Sequence, residues 1–242
     1  MADAARILPL LDLTDLSDSC SEEAVDALCR KAVGPHGPVA AVCVWPRFVS
    51  RAARALAGTP VRVATVVNFP AGGEDLERAV EDVEGGLADG ATEFDLVMPW
   101  RAFLDGRPDP ARTMIAGLRD VLGDRVLKVI LETGALPHVE AVKAAARLAV
   151  AAGADFLKTS TGKVAVGATP EAAEAILGII RQAGRPVGLK VSGGIRTPGE
   201  AIRYLALVDA AMGPDWATPA TFRIGASGLH EALVAAIEAE GS

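Results

Sequence analysis

Short apolar runs of about four to seven residues alternate along the chain with amphipathic stretches of about 10 to 17 residues. The apolar runs predict strands at residues 7–13, 39–44, 61–67, 93–98, 126–131, 155–159, 187–191 and 221–225. The amphipathic stretches predict helices at residues 21–33, 46–57, 74–89, 109–122, 137–152, 170–183, 198–210 and 229–240. Each predicted strand is followed by a predicted helix, which is the repeat of a parallel α/β sheet.

Eight consecutive strand–helix units predict a (β/α)8 barrel, the TIM-barrel fold, as a single domain over residues 1–242. Caps or prolines mark several helix starts, at Ser21, Thr169-Pro170 and Thr197-Pro198. An open, doubly wound sheet is the alternative, but it has five or six units and a glycine-rich first turn. In a barrel, functional side chains lie at the carboxyl ends of the strands, so we expect the site there.

The composition narrows the classes of function. The net charge is -7 and the sequence has no basic run, which argues against a nucleic-acid surface. It has neither an apolar stretch of about 20 residues nor the apolar core of a signal peptide, so we expect no membrane association and a cytoplasmic location. The three cysteines lack Cys-x-x-Cys spacing and the three histidines lie far apart, so we expect neither a disulfide framework nor a metal site.

Lysine is rare in this sequence, with six residues against 18 arginines. Lys128, Lys158 and Lys190 interrupt predicted apolar strands, and Lys163 lies in a loop. A strand lysine that points into a barrel loses hydration, which favours the neutral amine that forms an imine with an aldehyde or ketone. Arginine cannot take this role. The strand lysines are therefore candidates for covalent catalysis.

Two of these lysines belong to neighbouring strands of the predicted barrel. Alternation places Lys158 on one face with Phe156 and Ser160, and Lys190 on one face with Gly188 and Ser192. Two ammonium groups about 4 Å apart repel by roughly 4 kcal/mol at an effective dielectric near 20, or about three pKa units. One of the two lysines is therefore expected to be neutral near pH 7. The alternative is a structural lysine paired with a carboxylate.

Carboxylates lie at matching places in two other strands. Asp95 shares a face with Glu93, and Asp12 lies in the first strand. A carboxylate beside the lysines can hold one of them charged and relay protons, although a plain ion pair is the alternative for both aspartates. Lys128 lies earlier in its strand, so we predict a deeper and supporting role for it.

Three loops that contain glycine follow the last three predicted strands. Glycine permits close approach of the backbone to a ligand, and the loops after strands seven and eight are the usual phosphate site of barrels. The helices that follow add amide groups and a favourable dipole. We therefore predict a phosphate pocket in the loops Ser160-Thr161-Gly162-Lys163, Ser192-Gly193-Gly194-Ile195-Arg196 and Gly225-Ala226-Ser227-Gly228.

Five segments of the sequence are distinctive: Leu11-Asp12-Leu13-Thr14, the heptapeptide from Ala64 to Pro70, Leu131-Glu132-Thr133-Gly134, the decapeptide from Ala154 to Lys163, and Phe222-Arg223-Ile224-Gly225-Ala226-Ser227. Together they resemble segments of deoxyribose-phosphate aldolases, which are Schiff-base enzymes, and the likeness runs from about residue 7 to about residue 230. The segment around Lys158 is the most specific.

The resemblance implies an aldolase-type barrel that reversibly cleaves 2-deoxy-D-ribose 5-phosphate into D-glyceraldehyde 3-phosphate and acetaldehyde, without a metal or organic cofactor. It implies that Lys158 forms the Schiff base, Lys190 lowers the pKa of Lys158, Asp95 relays protons and Asp12 contacts a substrate hydroxyl. It also implies a phosphate pocket made of Gly162, Lys163, Gly193, Gly194, Arg196, Gly225 and Ser227. Homo-oligomers are common among such barrels.

The chain departs from some members of that family at three places. Val191-Ser192 replaces Pro-Ala, Gly228 replaces a second serine, and residues 239–242 lack a terminal tyrosine, which puts tail-assisted proton transfer in doubt. Cys43 lies near the end of the second predicted strand, so its thiol is a candidate for alkylation by enals at the mouth of the barrel. The alternative is that Cys43 is a small side chain packed in the core.

Two alternative functions are weighed against this one. The first is another lysine-dependent barrel aldolase that acts on a different phosphorylated sugar. The second is a barrel that binds a phosphorylated ligand without catalysis. The second requires a missing catalytic group, but Asp95, Lys158 and Lys190 are all present.

Overall fold

The computed structural model describes residues 2–240 and contains a closed barrel of eight parallel strands. The strands pair in sequence order, and the eighth pairs with the first. This confirms the predicted (β/α)8 barrel. The strands are β1 (Leu11–Asp15), β2 (Ala41–Val44), β3 (Arg62–Val67), β4 (Glu93–Val97), β5 (Val126–Ile130), β6 (Phe156–Lys158), β7 (Gly188–Ser192) and β8 (Phe222–Ala226).

Helices surround the barrel and connect its strands. They are α1 (Ala2–Ile7), α2 (Glu22–Ala32), α3 (Val49–Ala55), α4 (Leu76–Asp89), α5 (Trp100–Leu104), α6 (Asp109–Leu122), α7 (Val139–Ala151), α8 (Pro170–Ile180), α9 (Pro198–Met212) and α10 (Leu229–Glu240). Short 3-10 turns occupy Leu8–Leu10, Pro46–Phe48 and Thr133–Ala135. Within residues 2–240, no helix has both the length and the apolar character needed to cross a membrane.

The predicted helix starts are confirmed by side-chain caps. Ser21 accepts a hydrogen bond from the amide of Ala24, and Thr169 accepts one from the amide of Ala172. At the start of α9, Thr197 and Glu200 form a reciprocal capping box. These caps fix where three of the loops at the carboxyl end of the barrel give way to helix.

The prediction was wrong at the first strand, which begins at Leu11 rather than at residue 7. The residues before it form α1 and a 3-10 turn that contains Pro9. The side chain of Arg6 donates to Asp209 at 2.9 Å and so ties α1 to α9. An apolar run that packs beneath a barrel has the same composition as a strand, which is why hydropathy alone did not separate them.

The core has an outer and an inner layer because side chains alternate along each strand. On β4, Phe94 and Leu96 belong to the large apolar cluster that also contains helix residues, whereas Glu93 and Asp95 point into the barrel and meet charged partners there. The register aligns Lys158 with Lys190 on the neighbouring strand. The interior of this barrel therefore contains charged groups as well as the branched apolar residues usual in this fold.

Candidate active site

Seven residues with ionisable side chains meet inside the barrel, and each residue is at most 4% exposed. Their strands are β1, β4, β5, β6, β7 and β8, so six of the eight strands contribute. Burial of charge at this density requires every group to find partners of opposite sign. We refer to these residues as the ion cluster: Asp12, Glu93, Asp95, Lys128, Lys158, Lys190 and Arg223.

Asp95 is the centre of the ion cluster. Its Oδ2 atom accepts hydrogen bonds from Lys158 Nζ and from Lys190 Nζ, each at 2.7 Å. Its other oxygen, Oδ1, accepts one from Lys128 Nζ at 3.0 Å. The structure thus brings together the three residues predicted to be catalytic, and it adds Lys128 as a neighbour of the same carboxylate.

A second set of contacts lies beyond Asp95. Lys190 Nζ is 2.6 Å from Asp12 Oδ2, and Arg223 donates to Asp12 Oδ1 at 2.5 Å. Arg223 also donates to Glu93 Oε1 at 2.9 Å, and Lys128 Nζ is 2.6 Å from Glu93 Oε2. Lys158 is therefore connected to Arg223 by an unbroken series of ion pairs through the barrel.

The ion cluster contains four basic and three acidic side chains. Lys128, Lys190 and Arg223 each contact at least two carboxylates. Among residues 2–240, the only carboxylate in contact with Lys158 is Asp95, which also contacts two other cations. An excess buried charge is costly. The cluster is electrically balanced when Lys158 is the neutral member.

The directions of the pKa shifts agree with this balance. Burial lowers the pKa of Lys158, and the charge of Lys190 adds to that effect against the opposing attraction of Asp95. Burial also acts to lower the pKa of Lys190, but Asp12 and Asp95 outweigh it, so the pKa of Lys190 is raised. Of these two lysines, Lys158 is therefore the one that gives up its proton more readily, and Lys190 is the one held as an ammonium group.

Both causes that the sequence suggested, loss of hydration and repulsion from Lys190, lower the pKa of Lys158. Dehydration of Lys158 contributes more than the charge of Lys190 does. Asp95 lies between the two nitrogen atoms and offsets part of their repulsion. Lys128 is fully buried below the mouth, as predicted from its earlier position in the strand.

Lys158 also lines an open cleft of about 320 Å³ at the carboxyl end of the barrel. The loops after β1, β6, β7 and β8 form its walls. The seven residues predicted for the phosphate pocket all line this cleft: Gly162, Lys163, Gly193, Gly194, Arg196, Gly225 and Ser227. Asp12 does not line the cleft and is fully buried against Lys190 and Arg223, so its contact with a substrate hydroxyl stays a prediction.

Two glycines in the loop after β7 have a backbone conformation that other residues rarely adopt. Gly193 has φ of 88° and Gly194 has φ of 87°. A Cβ atom at Gly193 would come within 3.0 Å of the backbone of Gly167 in the loop after β6. The two loops therefore pack backbone against backbone at Gly193, whereas a Cβ atom at Gly194 would meet no atom within 4 Å, so a ligand can approach the main chain there.

Part of the predicted phosphate chemistry is corrected by the cap of α9. The amides of Arg196 and Thr197 donate to Glu200 Oε2, at 2.8 and 3.0 Å, and so are already engaged. Lys163 donates to the carbonyl of Leu16 at 2.8 Å, on the β1 side of the cleft. The backbone that faces the cleft therefore belongs to the loop after β7, at Gly193 and Gly194, and to the end of β8, at Gly225, and not to the first turn of α9.

Glu132 lies in one of the five similar segments, but its pattern in the sequence predicts no role for it. Its backbone is left-handed, with φ of 55°, and its side chain is 1% exposed. The carboxylate accepts from the amide of Thr161 at 3.1 Å and from the hydroxyl of Thr161 at 2.6 Å. Glu132 therefore anchors the start of the loop that carries Gly162 and Lys163. A buried acid directly after a strand is the signal that could have identified it.

Cys43 is fully buried, and burial raises the pKa of its thiol. It packs inside the barrel with Ala41, Ala64 and Val66. The structure therefore shows the packed side chain and not a thiol open to solvent. The doubt about tail-assisted proton transfer concerns residues 239–242. Two of these, Gly241 and Ser242, lie outside the described residues.

A larger basin of about 810 Å³ opens at the opposite, amino-terminal end of the barrel. Glu93 and Arg223 reach its wall, whereas Lys158 does not line it. Functional groups of this fold lie at the carboxyl end of the strands. The smaller cleft is the candidate active site because it contains the amine with the lowered pKa.

Comparison with known proteins gives a consistent result. A family model described as DeoC/LacD family aldolase matches residues 7–230. The chain is 48% identical over 229 residues to the deoxyribose-phosphate aldolase of Agrobacterium fabrum, covering 93% of this chain and 88% of that protein. The tetrameric deoxyribose phosphate aldolase from Aeropyrum pernix superposes with a TM-score of 0.81 at 25% identity, over 99% of this chain and 94% of that one.

A second solved structure, a candidate deoxyribose-phosphate aldolase from Coccidioides immitis, has a TM-score of 0.86 and 31% identity, over 97% of this chain and 87% of that one. These matches extend over all eight strands, so they include every strand that contributes to the ion cluster.

Proposed function

The chain belongs to the DeoC/LacD family of aldolases, and we propose that it is a lyase that reversibly cleaves 2-deoxy-D-ribose 5-phosphate into D-glyceraldehyde 3-phosphate and acetaldehyde. The observation that carries this proposal is Lys158: an amine with a lowered pKa, in contact with Asp95, at the edge of a glycine-rich cleft. We infer the substrate from the relatives, since the Agrobacterium fabrum protein is a deoxyribose-phosphate aldolase.

The chemistry begins with the lone pair of Lys158. The amine adds to the aldehyde carbon C1 of the open-chain sugar, and loss of water leaves an iminium ion. A base removes the proton of the C3 hydroxyl, the bond between C2 and C3 breaks, and its electron pair moves to C2 as an enamine. D-Glyceraldehyde 3-phosphate leaves. Protonation of C2 and hydrolysis of the imine release acetaldehyde and regenerate the amine.

Lys190 and Asp95 support these proton transfers from below. Lys190 stays charged because its pKa is raised, so it can donate a hydrogen bond without competing for the aldehyde. Asp95 contacts both nitrogen atoms through one oxygen and can pass a proton between them or through water. Because the Asp95 pKa is well below its ordinary value, it acts as a carboxylate throughout the neutral range.

The phosphate of the substrate fits the opposite wall of the cleft. Gly193, Gly194 and Ser227 present backbone or hydroxyl groups there, and Arg196 and Lys163 add positive charge at the rim. The helix α10 begins at Leu229, directly after the Ser227 loop, and its amino-terminal end favours an anion. A phosphorylated sugar can thus be held at one end while its aldehyde reaches Lys158.

We also propose a cytoplasmic location and assembly into a homo-oligomer, for which the tetrameric relative from Aeropyrum pernix gives a precedent. The surface is acidic overall, with a net charge of -7, so we propose no nucleic-acid partner. The ligands that the site requires are a phosphorylated sugar and acetaldehyde.

The test is trapping of the intermediate followed by peptide mapping. Incubation with acetaldehyde and borohydride should add one ethyl group to the peptide that contains Lys158, and 2-deoxy-D-ribose 5-phosphate should give both aldehyde products. Modification at another lysine would overturn the assignment of the nucleophile. If the protein is trapped at Lys158 but cleaves a different sugar phosphate faster in a substrate panel, the alternative of a lysine-dependent aldolase for another phosphorylated sugar would be favoured.

A further inference from the structure

Arg223 and Glu93 lie at the amino-terminal end of the ion cluster, where a substrate in the cleft cannot touch them. Both border the basin at the far end of the barrel, and neither lines the cleft that contains Lys158. They are 4% and 2% exposed. Their two nitrogen–oxygen contacts measure 2.9 and 3.2 Å. The reaction outlined above makes no direct use of this pair.

An ion pair buried this deeply needs an explanation other than stability. Apolar residues of similar volume often replace buried ion pairs without loss of stability, so such a pair is weak evidence for a structural role. Its partners point to another explanation. Arg223 holds Asp12, the counter-ion of Lys190, and Glu93 holds Lys128, which contacts Asp95.

We propose that Arg223 and Glu93 are positioning residues that set the charge balance of the ion cluster from the far end of the barrel, so that Lys158 is left as the uncharged amine. The inference rests on the proposed function, in which Lys158 is the nucleophile. Arg223 supplies the third cation that the three carboxylates require, and Glu93 supplies the third carboxylate. Loss of either residue changes the net charge of the other ion-cluster residues, and this net charge favours or disfavours protonation of Lys158.

The groups that face Lys158 come from several strands. Asp95 on β4 and Lys190 on β7 contact it directly or through a shared oxygen, and the neutral thiol of Cys43 on β2 faces it as well. The remaining charged groups act through these, namely Asp12 on β1, Lys128 on β5, Glu93 on β4 and Arg223 on β8. The neighbouring interior positions of β3 are the apolar residues Ala64 and Val66.

The two members of the pair therefore have opposite effects on Lys158. In Arg223→Met, three carboxylates face two permanent cations, so Lys158 is favoured as the third cation. In Glu93→Gln, two carboxylates face three permanent cations, so protonation of Lys158 becomes less favourable. Charges roughly 10 Å apart at an effective dielectric near 20 shift a pKa by about one unit.

The experiment measures how the rate of Lys158 trapping by acetaldehyde and cyanoborohydride depends on pH. Compared with the wild type, the acid limb of the profile should move up by about one pH unit in Arg223→Met and down by about one unit in Glu93→Gln. The double variant restores the balance, so its limb should return towards the wild-type position. Arg223→Lys keeps the charge and should move the limb least.

The matched control is Arg119→Met. This substitution also removes an arginine from the amino-terminal end of the barrel, where Arg119 pairs with Asp155 at 2.6 Å, but it does not touch the ion cluster. The limb should stay in place. Displacements in the same direction for Arg223→Met and Glu93→Gln, or none in either, would overturn the proposal and leave a structural role only.

If Arg223→Met does not fold, the pH profile of Glu93→Gln alone tests the proposal, because this substitution preserves the shape of the side chain. A limb that stays in place or moves up in Glu93→Gln would contradict the proposal. Failure of the proposed function has a different signature, since wild-type protein would then not be trapped at Lys158 at any pH.

Discussion

The part of the barrel interior formed by β2 and β3 is apolar, whereas the part formed by β1 and β4 to β8 holds the ion cluster. On the first side, Ala41, Cys43, Ala64 and Val66 pack together without a charge. On the other, seven ionisable groups form a continuous set of ion pairs. Lys158 faces both sides, because it contacts Asp95 and is also close to Cys43.

The difference shows how one lysine among three comes to have a lowered pKa, as the proposed nucleophile requires. The apolar side excludes water, and dehydration is the largest cause of the lowered pKa of Lys158. The charged side decides which lysine responds, because Lys128 and Lys190 have carboxylates enough to stay protonated, as their raised pKa values indicate. Changes on the charged side should therefore move the pH profile, and changes on the apolar side should alter stability.

The largest effect is expected for Lys158→Arg. Arginine carries a permanent positive charge and has no usable lone pair near neutral pH. Cleavage of 2-deoxy-D-ribose 5-phosphate should fall by roughly a thousandfold or more, and borohydride trapping should disappear. Lys143→Arg is the matched control, since Lys143 pairs with Glu140 on the outside of α7 and should be silent. Full turnover with trapping at Lys190 or Lys128 would refute the assignment.

Lys190→Leu comes next. Loss of this cation leaves Asp12 and Asp95 with less positive charge, so the pKa of Lys158 should rise and more of it should be protonated at neutral pH. Activity at pH 7 should fall by roughly a hundredfold, with partial recovery at alkaline pH, where Lys158 loses its proton again. The measurement is kcat/KM against pH. An acid limb that moves to lower pH would contradict the account.

Ser227→Asp tests phosphate binding in the cleft and not the charge balance of the ion cluster. A carboxylate at this exposed position repels the phosphate, so KM for the phosphorylated sugar should rise by about tenfold or more, equivalent to roughly 1.4 kcal/mol of binding free energy. Ser227→Ala serves as the uncharged control. With unphosphorylated 2-deoxyribose, the two variants should have similar kcat/KM. Equal loss with both sugars would indicate damage to the fold instead of a lost phosphate contact.

The smallest effect is expected on the apolar side. Cys43→Ala removes one buried sulfur atom without changing the charge, so the free energy of unfolding should fall by about 1 kcal/mol. The acid limb of kcat/KM should not move. A water-soluble thiol reagent should react slowly with Cys43 in the native protein, because the side chain is completely buried. A displaced limb would mean that this side also sets the charge balance.

The barrel, and the convergence of most residues of the candidate site, could be predicted from the sequence for a clear physical reason. Parallel strands bring their carboxyl ends together, so the inward parity of Asp95, Lys158 and Lys190 was enough to place them in one site. Gly193 and Ser227 lie in the loops that follow β7 and β8, so the same convergence of strand ends placed them at the mouth. These inferences need only the strand boundaries to within a residue or two.

Other features depend on distances that periodicity does not contain. Arg223 shares its inward parity with Gly225, but nothing in the sequence shows that it reaches Asp12 and Glu93 across the barrel. Likewise, the capping of α9 by Glu200, which engages the Arg196 amide, follows from the local fold. The dominant role of dehydration over repulsion became evident only with the burial of Lys158.

The most direct test of the central claim is a titration of the lysine side chains by nuclear magnetic resonance, with carbon-13 at Cε and assignment by the Lys158→Arg variant. The account predicts that Lys158 titrates below the ordinary lysine value of about 10.4, while Lys128 and Lys190 remain charged above it. Titration of Lys190 before Lys158, or of Lys158 at or above the ordinary value, would contradict it.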